Sequence, residues 1–166
     1  MTHIFIKPMA LALALVAFTF LQMTQLAASE RHVGYYYPPI TSEETFDRVV
    51  RSGPTPNKAV RVEFVTNITQ AQLAAPETPD FAVLAKGSGA KELIMVGLND
   101  QAFKTIYRAR GYMAQLTANL RNGAFFRSQQ LQHVATFYDF LQILQFDTLV
   151  LTDGETWSHR VTFKRN

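Results

Sequence analysis

The residue types best suited to chemistry stand close together near the end of the chain, at Asp153, Glu155 and His159. An imidazole oriented by a carboxylate can accept and return a proton near neutral pH. A pair of His159 with Asp153 or Glu155 would therefore suit acid–base catalysis. The alternative is that His159 is a surface residue of a strand, surrounded by other polar residues. We treat these three residues as candidates, not as an identified catalytic set.

A second group of candidates would bind a ligand or a partner. Arg108 and Arg110 lie on a predicted helix and could contact an anionic group, although a solvated helix face would have the same composition. Tyr35, Tyr36 and Tyr37 directly precede two prolines. This run could form an aromatic recognition surface or an edge strand packed on the core.

Several kinds of site are excluded by residue type or spacing. The chain has no cysteine, which excludes thiol catalysis, iron–sulfur clusters and cysteine-ligated zinc. No histidine after residue 29 has a second histidine or a carboxylate four residues further on, so no local pair of metal ligands is present. The glycine-rich segment 86–91 lacks the spacing of a phosphate-binding loop and precedes a predicted strand, which favours a hairpin turn. We therefore predict no metal and no cofactor.

Residues 1–29 have the three parts of a cleavable secretory signal peptide. Lys7 supplies the positive charge, residues 9–21 form an unbroken apolar run, and small residues end the segment at Ala27 and Ser29. The apolar run is shorter than the roughly 20 residues of a membrane-spanning helix, and an uncleaved anchor is the alternative. We expect a signal peptide over 1–29, a single domain over 30–166, and a periplasmic or secreted location after cleavage. The chain would meet the membrane only through the signal segment before cleavage.

The charge of the chain is nearly balanced, with 16 basic and 13 acidic residues and a formal net charge of +3. A domain that binds nucleic acid normally carries a dense basic face. No nucleic-acid partner is therefore predicted, and the expected partner is an unidentified periplasmic protein or a small ligand.

Hydrophobic periodicity and turn signals predict an α+β domain. Thr41 and Glu44 have the spacing of a helix capping box, residues 59–69 alternate as a half-buried strand does, and Asp153-Gly154 is a strong hairpin turn signal. We expect an antiparallel sheet of about five strands with about three helices packed on one face. The predicted order α-β-β-β-α-α-β-β corresponds to a helix over 41–50, strands over 59–69, 81–85 and 93–96, helices over 99–121 and 134–146, and strands over 148–152 and 157–164.

Six segments of the chain resemble a known family. They are 36–44 (YYPPITSEE), 81–87 (FAVLAKG), 92–97 (ELIMVG), 107–110 (YRAR), 114–117 (AQLT) and 152–159 (TDGETWSH). Together they resemble short exported alphaproteobacterial proteins that are often labelled molybdopterin-guanine dinucleotide biosynthesis protein A, and the similarity covers nearly all of residues 30–166. The label implies a Rossmann-like nucleotidyltransferase that binds GTP and Mg²⁺. Its L-x-G-G-x-S-x-R-M-G signature has no counterpart here, so the resemblance implies no site residues.

Three hypotheses about function follow. The first is an exported protein, most simply a non-enzymatic binding or accessory module of the periplasm. The second is an enzyme whose site is assembled from distant residues, among them Arg108, Arg110, Asp153, Glu155 and His159. The third is the nucleotidyltransferase that the family label implies.

Overall fold

The computed structural model describes residues 38–48, 56–100, 102–128, 130 and 135–164. The predicted signal peptide and the candidates Tyr35, Tyr36 and Tyr37 lie outside the described residues. The described part contains five strands and four helices: β1 Ser42–Phe46, α1 Lys58–Ala74, β2 Phe81–Lys86, β3 Glu92–Gly97, α2 Ile106–Arg121, α3 Ala124–Ser128, α4 Phe137–Ile143, β4 Thr148–Thr152 and β5 Ser158–Phe163.

The five strands form one sheet in the order β1-β5-β4-β3-β2. Both predicted hairpins are confirmed: β2 pairs with β3 across the glycine-rich turn, and β4 pairs with β5 across Asp153-Gly154. The α+β class is confirmed as well. The sheet is mixed, however, and not antiparallel throughout, because β3 pairs with β4 and β1 pairs with β5 in parallel. The helices between β3 and β4 provide the long crossover that a parallel pair needs.

The predicted helix over 41–50 is wrong, because its first half is strand β1. The Thr41 hydroxyl donates to the carbonyl of Ser158 and accepts from its backbone N–H, so it bonds to the β5 region and caps no helix. The edge of β5 offers a complete row of backbone partners to this segment. A capping box satisfies only a few backbone groups at one helix end, whereas sheet pairing satisfies the backbone groups of the whole segment.

The predicted strand over 59–69 is also wrong, because these residues belong to helix α1. The Asn57 side chain accepts from the backbone N–H of Val60 and caps the helix at its start. Arg61, Phe64 and Ile68 recur at helical spacing on the side that faces the rest of the domain. The apolar residues of this segment fit both the two-residue period of a strand and the 3.6-residue period of a helix. Packing against the rest of the domain favours the helix.

Two later helices are shorter than predicted. Helix α2 begins at Ile106, capped by Thr105, because Asn99 instead closes a separate turn by accepting from the Ala102 N–H. Helix α4 covers only Phe137–Ile143 of the predicted 134–146 and begins with a capping box of its own. The short helix α3 has no counterpart in the prediction. Among the described helices, none combines the length and apolar character that a membrane crossing requires.

The hydrophobic core joins one face of the sheet to the helices. Consecutive residues of the central strands are fully buried, and Leu93 and Leu149 belong to the cluster that packs with Met113 of α2 and Leu141 of α4. Aromatic rings complete the hydrophobic core at the β1 edge of the sheet. The ring of Phe46 lies 5.4 Å from that of Tyr138 on α4 and 5.9 Å from that of Phe163 on β5, measured between centroids. These contacts hold β1, β5 and α4 together and position the groups described next.

Candidate functional site

Four polar side chains from four elements meet at the β1 edge, around Glu44. One carboxylate oxygen of Glu44 lies 3.2 Å from Nη2 of Arg110 on α2, and the other lies 3.5 Å from Nε2 of His159 on β5. Tyr138 on α4 lies close enough for the charge of this carboxylate to act on its hydroxyl. We call these four residues the Glu44 cluster. Glu44 reaches all three because alternation along β1 turns Ser42, Glu44 and Phe46 to the same face of the strand.

His159 is the most enclosed member of the Glu44 cluster, with 3% of its surface exposed. Its Nδ1 lies 2.8 Å from the Ser42 hydroxyl, and its ring stacks on that of Trp157 at a centroid distance of 6.0 Å. Its Nε2 is buried and makes no hydrogen bond of good geometry. The 3.5 Å approach to Glu44 is therefore an electrostatic contact, too long for a strong hydrogen bond. The contacts with Ser42 and Trp157 fix the orientation of the ring, and its Nε2 faces Glu44.

Tyr138 contributes a neutral hydroxyl to the Glu44 cluster. Burial raises the pKa of Tyr138 well above its usual value, and the negative charge of Glu44 raises it further, while Arg110 opposes the shift. The phenol therefore keeps its proton under ordinary conditions. Glu44 thus has an uncharged hydroxyl as a neighbour.

A cavity of about 390 Å³ opens beside the Glu44 cluster, between β1, α2 and α4. This volume lies within the range of small-ligand sites. Glu44, Arg110 and Tyr138 form its polar end, whereas its apolar wall is formed by Phe46, Met113, Ala114 and Phe137. Three threonines, Thr45, Thr117 and Thr136, complete the lining. Glu44 is 29% exposed and Arg110 is 60% exposed at the side chain, so a ligand can reach the charges of both. The cavity combines an apolar wall with one charged and hydrogen-bonding end.

Arg110 and His159 are the two sequence candidates that the structure brings together, and both contact Glu44. Arg108 lies elsewhere, because residues two apart on a helix point in different directions. It lines a small polar cleft with Asp80 and Tyr112 on another side of α2. In that cleft partial burial raises the pKa of Tyr112, and the Asp80 charge adds to the shift.

Asp153 and Glu155 belong to the turn between β4 and β5. Oδ1 of Asp153 accepts from the backbone N–H groups of Glu155, Thr156 and Trp157, at 2.8–2.9 Å. Partial burial alone would raise the pKa of Asp153, but these hydrogen bonds outweigh it and lower the pKa below its usual value. Glu155 is exposed. The described contacts of Asp153 are those of a turn-forming residue, and the carboxylate beside His159 is Glu44.

The residues that sequence reasoning missed are Glu44, Tyr138 and Ser42. Glu44 had a local interpretation as part of a helix capping box, which left no reason to look for a distant partner. The pairs that matter join residues far apart in the chain: 66 positions separate Glu44 from Arg110, and 117 separate Ser42 from His159. No local pattern reports such contacts. These contacts could have been predicted only from the knowledge that β1 pairs in parallel with β5.

A second cavity, of about 430 Å³, lies between α1 and α2 and is lined by Ile68, Phe81, Tyr112 and Leu116 among others. Its polar groups serve neighbouring backbone or side chains: Gln72 donates to the carbonyl of Phe81, and Asn99 donates to Asp80. Unlike the first cavity, it has no ion pair at its wall among the described contacts. We therefore place the candidate site at the Glu44 cluster.

The Glu44 cluster has the chemistry of a binding site for a polar head group. It holds one negative and one positive charge, a fixed hydroxyl donor and a buried imidazole edge. Within the described ranges, no three His, Asp or Glu side chains come close enough together to hold a metal ion. Comparison of the chain with protein-family models, with curated proteins and with solved structures gave no match.

Proposed function

We propose that this chain is an exported, non-enzymatic binding module that takes a small ligand into the cavity beside the Glu44 cluster. The observation that carries the proposal is that the charged and hydrogen-bonding groups of Glu44, Arg110 and Tyr138 line the same cavity as the apolar side chains of Phe46, Met113 and Phe137. Such a combination orients a ligand, because apolar contacts supply affinity and a few fixed polar groups select the head. The ligand has an apolar body and a polar head.

The polar end is preorganised for binding. Tyr138 and His159 are held by burial, ring contacts and Ser42, so the Glu44 carboxylate has a fixed environment before any ligand arrives. Among the described residues, the side chain of Arg110 is held by Glu44 alone, and it is largely exposed. The Glu44 acceptor is already fixed, and only the Arg110 side chain has to move when a ligand binds. Binding therefore costs little conformational entropy.

Binding is tested with 4-methylpentanamide, an uncharged probe with a branched apolar body, in an NMR chemical-shift titration. We expect shifts at β1, α2 and α4. Ala114→Phe fills the cavity from an exposed helical position and should abolish them. The matched control Ala118→Phe adds the same ring to an exposed position of α2 outside the cavity lining and should leave them unchanged. Shifts that survive in Ala114→Phe would place the probe elsewhere and refute the proposal.

Export is the second part of the proposal, and it rests on the signal-peptide pattern of residues 1–29. Expression in a Gram-negative host followed by cell fractionation and amino-terminal sequencing tests it. A mature chain that begins near Glu30 in the periplasm supports export. An intact chain in the cytoplasm contradicts it, and an intact chain in the membrane would make residues 9–21 an anchor.

One observation favours a second candidate function, hydrolysis. Ser42, His159 and Glu44 form a chain of hydroxyl, imidazole and carboxylate, the order of groups in a serine nucleophile site. We place it second because Ser42 is not part of the cavity lining, so a ligand in the cavity is not presented to its hydroxyl. Release of 4-nitrophenol from 4-nitrophenyl acetate, lost in Ser42→Ala, would favour hydrolysis. Equal rates in both proteins would eliminate it.

A further inference from the structure

The charges at the polar end of the cavity specify the kind of head group that fits there. From them we infer that the ligand is a zwitterion with an apolar body, such as an apolar α-amino acid, whose ammonium contacts Glu44 and whose carboxylate contacts Arg110. This inference rests on the proposed binding function and names its ligand class.

The first step of the argument is the charge balance of the polar end. Glu44 and Arg110 carry opposite unit charges 3.2 Å apart, and both line the cavity. An anionic head that approaches Arg110 is attracted by the guanidinium but repelled by the adjacent carboxylate. A cationic head meets the reverse situation. Because Coulomb energy falls only inversely with distance, the two contributions largely cancel for a single charge.

A zwitterion gains both attractions at once. Its ammonium can take the place that Arg110 occupies beside Glu44, while Arg110 turns to the ligand carboxylate. Arg110 can make this turn because its side chain is 60% exposed. One ion pair is replaced by two, and a guanidinium matches a carboxylate with two parallel hydrogen bonds.

The fixed members of the Glu44 cluster complete the ammonium site. Tyr138 stays neutral, so it lies beside Glu44 without reducing the charge of the carboxylate. His159 lies behind Glu44 and does not line the cavity, so it competes for no space with the ligand. The apolar side chain of the ligand would then lie against Phe46, Met113 and Phe137. The head and the body of one amino acid thus correspond to the two ends of the cavity.

Three probes with the same branched body test the inference by isothermal titration calorimetry at pH 7. Leucine carries both charges, 4-methylpentanoate carries only the negative one, and 3-methylbutylamine carries only the positive one. We expect leucine to bind at least ten-fold more tightly than either of the others. Valine serves as a smaller zwitterion in case the body of leucine is too long.

Two charge variants should replace the preference for the zwitterion by a preference for a single charge. The favoured charge should be negative in one variant and positive in the other. Glu44→Gln removes the negative charge and leaves Arg110 unopposed, so leucine should weaken at least ten-fold and 4-methylpentanoate should tighten. Arg110→Gln should weaken leucine similarly and favour the amine. Arg108→Gln removes the same charge from the same helix but on the side of Tyr112, and it should leave the order of the three probes unchanged. Circular dichroism and thermal unfolding confirm that each variant is folded.

The outcomes separate this inference from the proposed function. If the neutral amide probe binds in the cavity but neither leucine nor valine binds more tightly than the singly charged probes, the zwitterion inference is refuted and the binding function stands. The same conclusion follows if the preference does not change in this way in the two charge variants. If neither the amide nor the zwitterions bind, both are refuted.

Discussion

Arg61 and Arg110 both lie on long helices, yet the structure uses the two guanidinium groups in opposite ways. Arg61 is 3% exposed and donates to the carbonyls of Gly89, Pro56 and Leu144. Arg110 is mostly exposed and contacts one carboxylate, that of Glu44. A buried cation that donates to backbone carbonyls is not accessible to a ligand. A cation held by one partner beside a cavity remains accessible.

The region around Arg61 is therefore structural. Its three acceptors belong to the segment before α1, the β2–β3 turn and the end of α4, so one side chain ties three parts of the chain together. The Leu144 carbonyl lies at the C-terminal end of α4, where unpaired helix carbonyls concentrate negative partial charge. These dipoles solvate the guanidinium, and in the part of the chain that the structure describes no carboxylate pairs with it. The Glu44 cluster, by contrast, contains a formal negative charge on Glu44 and a formal positive charge on Arg110, and a ligand can separate the two.

The largest expected effect on stability comes from Arg61→Met. The methionine keeps part of the apolar stem but leaves one buried and two partly buried carbonyls without their donor, which should reduce the free energy of unfolding by about 3 kcal/mol. Urea denaturation measures the change. Lys58→Met, an exposed position of the same helix, should change stability by less than about 0.5 kcal/mol. If the Arg61 variant loses no more than the Lys58 variant, the structural role of Arg61 is wrong.

Asp153→Ala should come next, with a loss of about 1–2 kcal/mol, because three backbone N–H groups of the β4–β5 turn lose their acceptor. The lowered pKa of Asp153 also sets a pH dependence. Its stabilisation is present above the unfolded-state value of about 3.9 and is lost as the pH falls through the lower folded-state value. Acid titration of the unfolding midpoint should show this loss in the wild type and not in the variant. Glu155→Ala, at an exposed position of the turn, is the control, and an equal loss there would contradict the assignment.

Tyr138→Phe should alter stability mainly at alkaline pH. The folded state holds the phenol proton more tightly than the unfolded chain, so stability falls as the pH rises above the unfolded value of about 10. One such group contributes a slope of at most about 1.4 kcal/mol per pH unit. The phenylalanine variant keeps the ring contact with Phe46 and should show a shallower decline in chemical denaturation between pH 9 and pH 11. An unchanged slope would show that the phenol is not buried beside Glu44.

Arg110→Gln should have the smallest effect on stability, below about 1 kcal/mol, because exposed ion pairs contribute little to folding. The same variant should weaken leucine binding at least ten-fold. This combination separates a binding residue from a structural one more sharply than either measurement alone. If Arg110→Gln destabilises the domain as much as Arg61→Met does, the contrast between the two arginines fails.

Sequence reasoning succeeded where the determining interactions are local. Asp153-Gly154 and the turn at 87–89 each join two strands within a few residues, and Gly154 takes the positive φ that such a turn requires. The end of α2 at Arg121 followed in the same way from Asn122 and Gly123. Of the site, the sequence singled out Arg110 and His159 as residue types capable of chemistry. It offered no means of placing them together.

By itself, the sequence determined the α+β class, both hairpins and two members of the Glu44 cluster. Only the tertiary structure decided that 42–46 is a strand, that 58–74 is a helix, and that the sheet contains parallel pairs. The physical reason is that each of these segments has two locally acceptable conformations, and the choice depends on partners distant in the chain. Glu44 illustrates this dependence most clearly. As a capping residue it would have served its own backbone, but the pairing of β1 with β5 brings it to His159, Arg110 and Tyr138.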